Sequence, residues 1–399
     1  MFKIHIPKFT SEMFFVMFFI VFWGQDTLFA YIRAIFLRIP YIKMSADYFI
    51  PTLMFGCLIL AIPYILQNVC MKDIIFLTGC CEVFFLHMIL FPANSAYMLS
   101  ISGNFIFMIL PLYIVGLCLD WEKISKILYW SSVINICTFI LYIFITDAEK
   151  NMIQNQYSGY IHRAYVLLPQ LLIVVGHAFR NTNAWNVSLS VFGSMILLTC
   201  GNRGSLVILL VFLLVCLLFL LKKHFKKRVY ISIAFIGVAI VCTYQWIIEQ
   251  LGALILKWGL SPRVLNFLIA GGFFESNGRN ETAELLWKMI SENYLFGYGL
   301  TSDHVITGSY AHNILLEFWM AFGLFVGSIL FIYVVYTVAK AWKNNKTDIL
   351  LVVLICVGFL KLFVSSSFLL EGLFFAMLGY CVALNRRRNL SIRWKEGVV

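Results

Sequence analysis

The sequence predicts an all-α polytopic membrane protein with about twelve transmembrane helices and one larger outer-face loop between the ninth and tenth. Two observations predict it. Hydrophobic residues make up 62% of the 399 positions and charged residues only 12%, about half the ~25% usual for soluble domains. The apolar residues also come in unbroken runs, as from Leu206 to Leu221, drawn only from Leu, Val, Ile, Phe and Cys. Runs of this length match a hydrocarbon core ~30 Å thick at ~1.5 Å rise per residue, and helices satisfy their own backbone polar groups in lipid. A soluble fold is excluded, because several all-round apolar helices would have nothing to bury them.

In chain order the spans fall at approximately 13–32, 48–67, 74–92, 101–119, 127–146, 162–178, 184–200, 204–221, 229–247, 312–339, 348–365 and 367–385. The N-terminus, Met1 to Thr10, is short, and Phe29-Ala30-Tyr31-Ile32 does not read as a small-residue cleavage site, so the first span is expected to be a retained anchor. The densest basic clusters are Lys222–Arg228, the group Lys340, Lys343 and Lys346, and the tail Arg386, Arg387, Arg388, Arg393 and Lys395. Threading the spans puts both termini and all three clusters on one side, which the positive-inside rule makes cytoplasmic. The net charge of +11 is therefore a topology signal, and nucleic-acid binding is not indicated. Arg33, Arg38 and Lys43 sit on the outer side against that rule; they either touch lipid phosphate or snorkel to the interface, and snorkelling is the simpler reading.

The eleven cysteines fall in or at the edge of apolar spans, with no paired spacing in an exposed loop, so neither a disulfide framework nor a zinc site is indicated. The whole chain, 1–399, reads as one transmembrane domain with an outer loop over 251–310 and a C-terminal three-helix part over 312–385. Within the loop, Ser261-Pro262 closed by Gly271-Gly272 predicts a short capped helix. A second helix is predicted over Glu281 to Glu292, where Ala283, Leu286, Trp287 and Ile290 form one apolar face suited to the bilayer surface. A further polar outer loop spans Asp147 to Ile161.

Ionisable groups at membrane depth or at its rim are functional candidates, because burying them is costly. Four outer-facing positions stand out: Arg163 at the start of the sixth span, Arg203 in a tight reversal, Arg279 after Asn277-Gly278, and His312 opening the tenth span. Each has an ordinary alternative: snorkelling for Arg163, solvation for Arg279, helix capping for His312. Arg203 is the hardest to dismiss, since only a few residues turn the chain there. Several arginines with one histidine at one membrane face suit an anionic group such as a lipid-linked phosphate or pyrophosphate, because guanidinium offers fixed, forked donors and keeps its charge. Asp26 and Glu82 lie inside spans and read either as pathway groups or as paired structural acids. Asn313 and Glu317 share a helix face, whereas His312 and Glu317, five apart, do not. Asp120-Trp121-Glu122 resembles an acidic metal-nucleotide motif but falls in a tiny cytoplasmic loop. No Gly-rich phosphate loop, paired-histidine zinc motif or serine elbow occurs, so no metal or other cofactor is expected.

Four segments in order resemble the O-antigen polymerase and O-antigen ligase superfamily of bacterial envelope glycosyltransferases. They are Arg163 with Pro169-Gln170; Asn202-Arg203-Gly204-Ser205; Gly278-Arg279 with a helix ending in Leu295-Phe296-Gly297-Tyr298-Gly299; and Ala311-His312-Asn313-Ile314-Leu315-Leu316-Glu317 with Gly323-Leu324 and Gly327. The resemblance runs from about Ile161 to Leu330. Two positions depart from the family pattern: Gln170 stands where Asn is frequent, and Asn202 where Ser is.

The resemblance implies a GT-C-like glycosyltransferase of the bacterial cytoplasmic membrane, working on the outer face without metal or nucleotide sugar. Its donor would be an oligosaccharide on undecaprenyl pyrophosphate. It also implies catalytic roles for Arg203 and Arg279, stabilising the departing pyrophosphate, and for His312, handling the acceptor hydroxyl. Arg163, Gln170, Asn313 and Glu317 would bind substrate, and a flippase and a chain-length regulator would be partners. Within the family a polymerase, which joins repeat units, is expected ahead of a ligase, which moves finished glycan to an acceptor, because polymerases are more numerous and divergent. From another class, a flippase or secondary transporter would show a weak internal repeat and a long middle cytoplasmic loop, and neither is visible.

Overall fold

The computed structural model describes residues 10–36, 43–150, 158–200, 202–219, 249–250, 253 and 278–395. The described residues are helical with no strand. The first half comprises α1 (Ser11–Gly24), a π turn (Gln25–Phe29), α2 (Ala30–Phe36), α3 (Lys43–Asn68), α4 (Met71–Leu90), α5 (Pro92–Asn104), a second π turn (Phe105–Ile109), α6 (Leu112–Cys118), α7 (Trp121–Lys150), α8 (Ser158–Arg180), α9 (Ala184–Thr199) and α10 (Arg203–Phe219). After residue 278 come α11 (Arg279–Glu292), α12 (Ser302–Thr307), α13 (Ile314–Asn344), α14 (Ile349–Leu354), a π turn (Ile355–Phe359), a 3-10 turn (Leu360–Phe363) and α15 (Gly372–Lys395).

Five helical stretches are long and apolar enough to cross a membrane: Ser11–Ile32, Pro51–Asn68, Met71–Leu90, Pro92–Cys118 and Ile314–Asn344. Three shorter apolar ones cover Ala184–Leu198, Arg203–Phe219 and Ile349–Phe363. The protein is thus a helical membrane protein, while the count of twelve is not reached among the described residues. The expected ninth span at 229–247, the basic cluster Lys222–Arg228 and the expected helix Ser261–Gly272 all lie outside them. The predicted amphipathic helix is α11, two residues longer at its start than expected.

The centre of the bundle is α8 and α14. Leu167, Leu168 and Leu171 through Val174 are fully buried, and every residue of Ile349–Leu354 is buried, so these helices have neighbours on all sides. The helices α3, α4, α5 and α13 instead present Phe55, Leu66, Ile75, Ile89, Leu99, Ile329 and Tyr336 outward, as lipid-facing helices do. Between helices in lipid, close packing rather than apolar transfer supplies cohesion, and small residues allow it. Gly116 and Gly379 show this: a methyl group on Gly116 would lie 2.8 Å from the Tyr380 nitrogen, so α6 and α15 touch backbone to backbone.

Two polar devices join helices inside the bundle. Where α1 widens into its π turn, the Trp23 carbonyl accepts from the Gln170 Nε2 at 2.6 Å, while the Gln170 Oε1 accepts from Asn135 Nδ2 at 3.1 Å. The amide of Gln170 therefore ties α1, α7 and α8 together. At the far end of the bundle, Arg386 makes a two-pronged contact with fully buried Asp73 at 2.6 and 2.7 Å, with the Tyr113 hydroxyl donating to the same carboxylate at 3.0 Å. Arg387 donates to the Leu119 carbonyl at 3.0 Å and pairs with Asp120 at 3.5 Å. The basic tail is anchored there, and Asp120 is an arginine partner and a helix cap, its Oδ1 accepting from Glu122 N at 3.2 Å.

The helix α13 is broken. Gly323 has φ 76 and ψ 170, which opens the backbone ladder inside a membrane span. The chain over 294–298 closes it: Tyr298 N donates to Met320 O at 2.7 Å, and Leu324 N donates to Tyr294 O at 2.7 Å. Gly297, with φ 67, faces Gly323, and a methyl group on it would come within 2.6 Å of the Gly323 nitrogen and the Met320 carbonyl. A methyl group on Gly323 would strike the Leu295 carbonyl. Both glycines are required by the approach of two backbones and by a left-handed φ.

Gly323→Ala is expected to cost about 2 kcal/mol or more, combining backbone strain with a lost backbone pairing in a low-dielectric setting. Thermal unfolding of purified protein in detergent, together with the amount in membranes, reads this. A wild-type melting curve for the Ala variant would show that the break in α13 is not held by this interlock.

Candidate functional site

The ends of α8, α10, α11 and α13 that carry the sequence-predicted arginines and histidine meet the 3-10 turn and the segment after it, at the end of the bundle opposite Arg386. Arg163 is buried on the first turns of α8, two residues before Tyr165. Asn202 precedes α10 and acts as its cap, its Oδ1 accepting from Ser205 N at 3.2 Å and its carbonyl from Ser205 Oγ at 2.9 Å. That cap fixes Arg203 as the first residue of α10. Gly204 follows because the Tyr165 hydroxyl lies against it, leaving no room for a side chain; Val364 is also within 3.3 Å of the place a methyl group would take. The Tyr165 hydroxyl shares hydrogen bonds with Asn202 and Ser365, and Arg279 and Tyr310 are close enough to act on it electrostatically.

Arg279 opens α11 after Gly278, whose φ of 82 turns the chain into the helix, and its side chain is exposed. It lies within electrostatic reach of His312. The His312 ring packs on Tyr310 at 4.3 Å between centroids, and the Tyr310 hydroxyl reaches the Ser365 hydroxyl at 3.4 Å. The Val364 backbone lies close to the imidazole, whose Nδ1 is buried with no partner among the described residues. Burial, and then the Arg279 cation, hold the imidazole down to about 4, so His312 is neutral at neutral pH. A neutral ring whose Nδ1 has no partner among the described residues can accept a proton there.

The expected site residues divide. Arg279 lies within electrostatic reach of His312, while Arg163 is two residues from Tyr165 on α8 and Arg203 precedes Gly204, against which the Tyr165 hydroxyl lies. Asn313 caps α13, its Oδ1 accepting from Leu315 N at 3.0 Å. Glu317 is buried and its carboxylate accepts from Ser367 Oγ and from Phe368 N, the latter at 3.2 Å. Gln170 lies two turns below Arg163, in the helix tie described above. Asp26 and Glu82 are exposed on helix surfaces.

Sequence reasoning missed Tyr165, Tyr310, Ser365 and Lys361. Lys361 forms an ion pair with Glu371 and sits 4.9 Å above the Tyr165 ring. A lone lysine inside the apolar run 348–365 was a legible signal for it. Backbone strain was not legible. Among the described residues, the non-glycine positions with left-handed φ are Thr301 (65), His312 (53) and Ser366 (70). Two of them belong to the turns that bring His312 to Val364, and each costs about 1–3 kcal/mol that the surroundings must offset.

Residues 188–332 match the O-antigen ligase family. The match takes in Asn202-Arg203, Arg279, His312 and Gly323, and bears out the resemblance to the O-antigen polymerase and ligase superfamily. It supports a membrane enzyme of that general type and does not divide polymerase from ligase. No curated protein and no solved structure matches the chain.

Removing the cation of Arg279 should ease protonation of His312. The expected result for Arg279→Gln is an imidazole midpoint that rises from about 4 toward, but not to, the free value of 6.5, since burial persists. Histidine side-chain NMR of selectively labelled protein in nanodiscs measures it. An unmoved midpoint would mean that Arg279 does not act on the ring.

Proposed function

We propose that this protein polymerises undecaprenyl-pyrophosphate-linked oligosaccharide repeat units into a surface polysaccharide, O-antigen or capsule, at the outer face of the bacterial cytoplasmic membrane. Both termini lie in the cytoplasm in this reading, and a flippase would supply the substrate. The observation that carries it is a neutral His312, its Nδ1 without a partner among the described residues, within electrostatic reach of Arg279 in the stretch that matches the O-antigen ligase family.

In the reaction the acceptor sugar hydroxyl gives its proton to Nδ1 of His312, and its oxygen attacks the anomeric carbon of the donor sugar. The bond from that carbon to the pyrophosphate oxygen breaks, and undecaprenyl pyrophosphate leaves with the electron pair. Arg279 and Arg203 meet the charge as it develops; fixed cations in a site of low dielectric act most strongly there. Arg163 and Asn313 would hold donor and acceptor, Gln170 would act through the packing of α8, and Glu317 through the turn over 367–368 that it holds. Arg279 also links binding to chemistry. With the site empty its charge opposes protonation of His312. A bound pyrophosphate offsets that charge and raises the proton affinity of Nδ1 when a base is needed.

Chromosomal His312→Ala, with membrane level checked, should cut polymer by about 100-fold or more and leave single repeat units on the acceptor. Arg203→Lys and Arg279→Lys should each fail to restore full polymer, because an ammonium lacks the forked geometry. Gel analysis of surface polysaccharide reads all three. Long glycan stranded on the polyprenyl carrier would identify a ligase instead, and an unchanged ladder in every variant would leave transport as the better reading.

A further inference from the structure

The strained His312 turn rests on a carboxylate that the proposed chemistry does not use. Asp303, on α12, is 3% exposed, and its Oδ2 accepts from the backbone nitrogen of Ala311 at 2.8 Å, one residue before His312. The short helix that carries it is seated by His304, whose ring stacks on Tyr97 of α5 at 3.9 Å and 9°, and by Thr307, whose hydroxyl donates to Ser309 O at 2.7 Å. On the other side of the imidazole, Glu317 performs the same office for the facing turn. It accepts from Ser367 Oγ and Phe368 N, directly after Ser366 with its left-handed φ, and so fixes the segment that follows Val364, whose backbone lies close to the ring. The two carboxyls lie close enough to act on each other electrostatically.

We infer that Asp303 and Glu317 are positioning residues for His312: each clamps one of two strained turns, so that the ring stays in register with the chain over 364–368 that packs beside it. Neither carboxylate reaches a reacting atom. A buried acceptor holding a backbone N–H can keep a turn in a conformation that an unclamped chain would leave. For Glu317, substrate contact gives way to this role, since its described hydrogen bonds go to the 367–368 backbone and side chain. The geometric part of this inference is independent of the reaction; only its activity readout rests on the proposed polymerase.

The test is carbethoxylation of His312 by diethyl pyrocarbonate in native membranes, quantified by mass spectrometry against His177 at the far end of α8. It is run beside the polysaccharide ladder in chromosomal variants. Asp303→Ala should raise His312 labelling about fivefold, leave His177 unchanged and abolish the ladder. Asp303→Asn, whose amide oxygen still accepts from Ala311 N, should keep labelling within about twofold of wild type and retain polymer. Should Asp303→Ala not accumulate, Ser367→Ala, which removes only a hydroxyl from the opposite clamp, should raise His312 labelling about twofold. Unchanged His312 labelling in the accumulating Ala variants, or equal labelling in Asp303→Asn and Asp303→Ala, would overturn the inference. A ladder unaffected by His312→Ala would overturn the polymerase reading instead and leave the labelling result to stand.

Discussion

The exchange of backbone hydrogen bonds between the broken helix α13 and the chain over 294–298 is the constraint on which the rest depends. In a bilayer an opened helix must find its partners inside the protein, and here Tyr294 and Tyr298 supply them to Leu324 and Met320. That exchange fixes the end of α11 against α13. Leu286 and Ile290 of α11 then pack with Met320 and Ala311 in a small core of their own. Arg279, at the start of α11, and His312, ahead of α13, are consequently held on one body. Asn94 and His87 extend the arrangement to α4 and α5, through the Asn94 amide on Tyr298 O at 2.8 Å and Leu300 N on His87 Nδ1 at 3.0 Å. A loop between membrane helices is thereby built into the helices on either side of it.

The two ends of the bundle are built on different electrostatic principles. At the Arg386 end, charges are paired off: Asp73 with Arg386, Asp120 with Arg387, and Lys123 with Glu12 at 2.6 Å. Breaking a buried pair is more costly than making it is beneficial, so such pairs specify register as much as they stabilise. At the His312 end, an exposed arginine lies within electrostatic reach of a half-buried neutral imidazole whose Nδ1 has no partner among the described residues. Lys361 is paired there with Glu371 and leans on Tyr165. Local strain gathers at the same end, in Thr301, His312 and Ser366. A site that keeps an open cation, a free base nitrogen and left-handed turns side by side is shaped for something other than stability.

How much of the site was legible follows from what each residue does. Arg203, Arg279 and His312 stood out because charge at the rim of an apolar run has few structural uses. Arg279 and His312 were brought together by the α11–α13 interlock, whose two glycines were visible in Leu295-Phe296-Gly297-Tyr298-Gly299 and Gly323 only as motif positions. Gln170 and Asn313 carried the same kind of signal, yet their amides are engaged in a helix tie and a helix cap. A polar residue in an apolar run serves backbone satisfaction as readily as substrate, and only its partners tell the two apart. Tyr165, Tyr310 and Ser365 gave no signal, because a tyrosine or serine near a membrane rim is ordinary.

By itself the sequence determined the class of the protein: apolar runs matched to lipid thickness, and a stretch over 188–332 that matches the O-antigen ligase family. Those properties are local, since hydropathy and motif order are read along the chain. What only the tertiary structure decided is which polar groups are spent on one another and which are left free. Gly323 breaks α13 in a way that only the 294–298 backbone can repair, and Asp303 reaches Ala311 only because α12 is seated on α5. His312, whose Nδ1 has no partner among the described residues, lies beside Val364, a proximity across 52 residues that no pattern along the chain records.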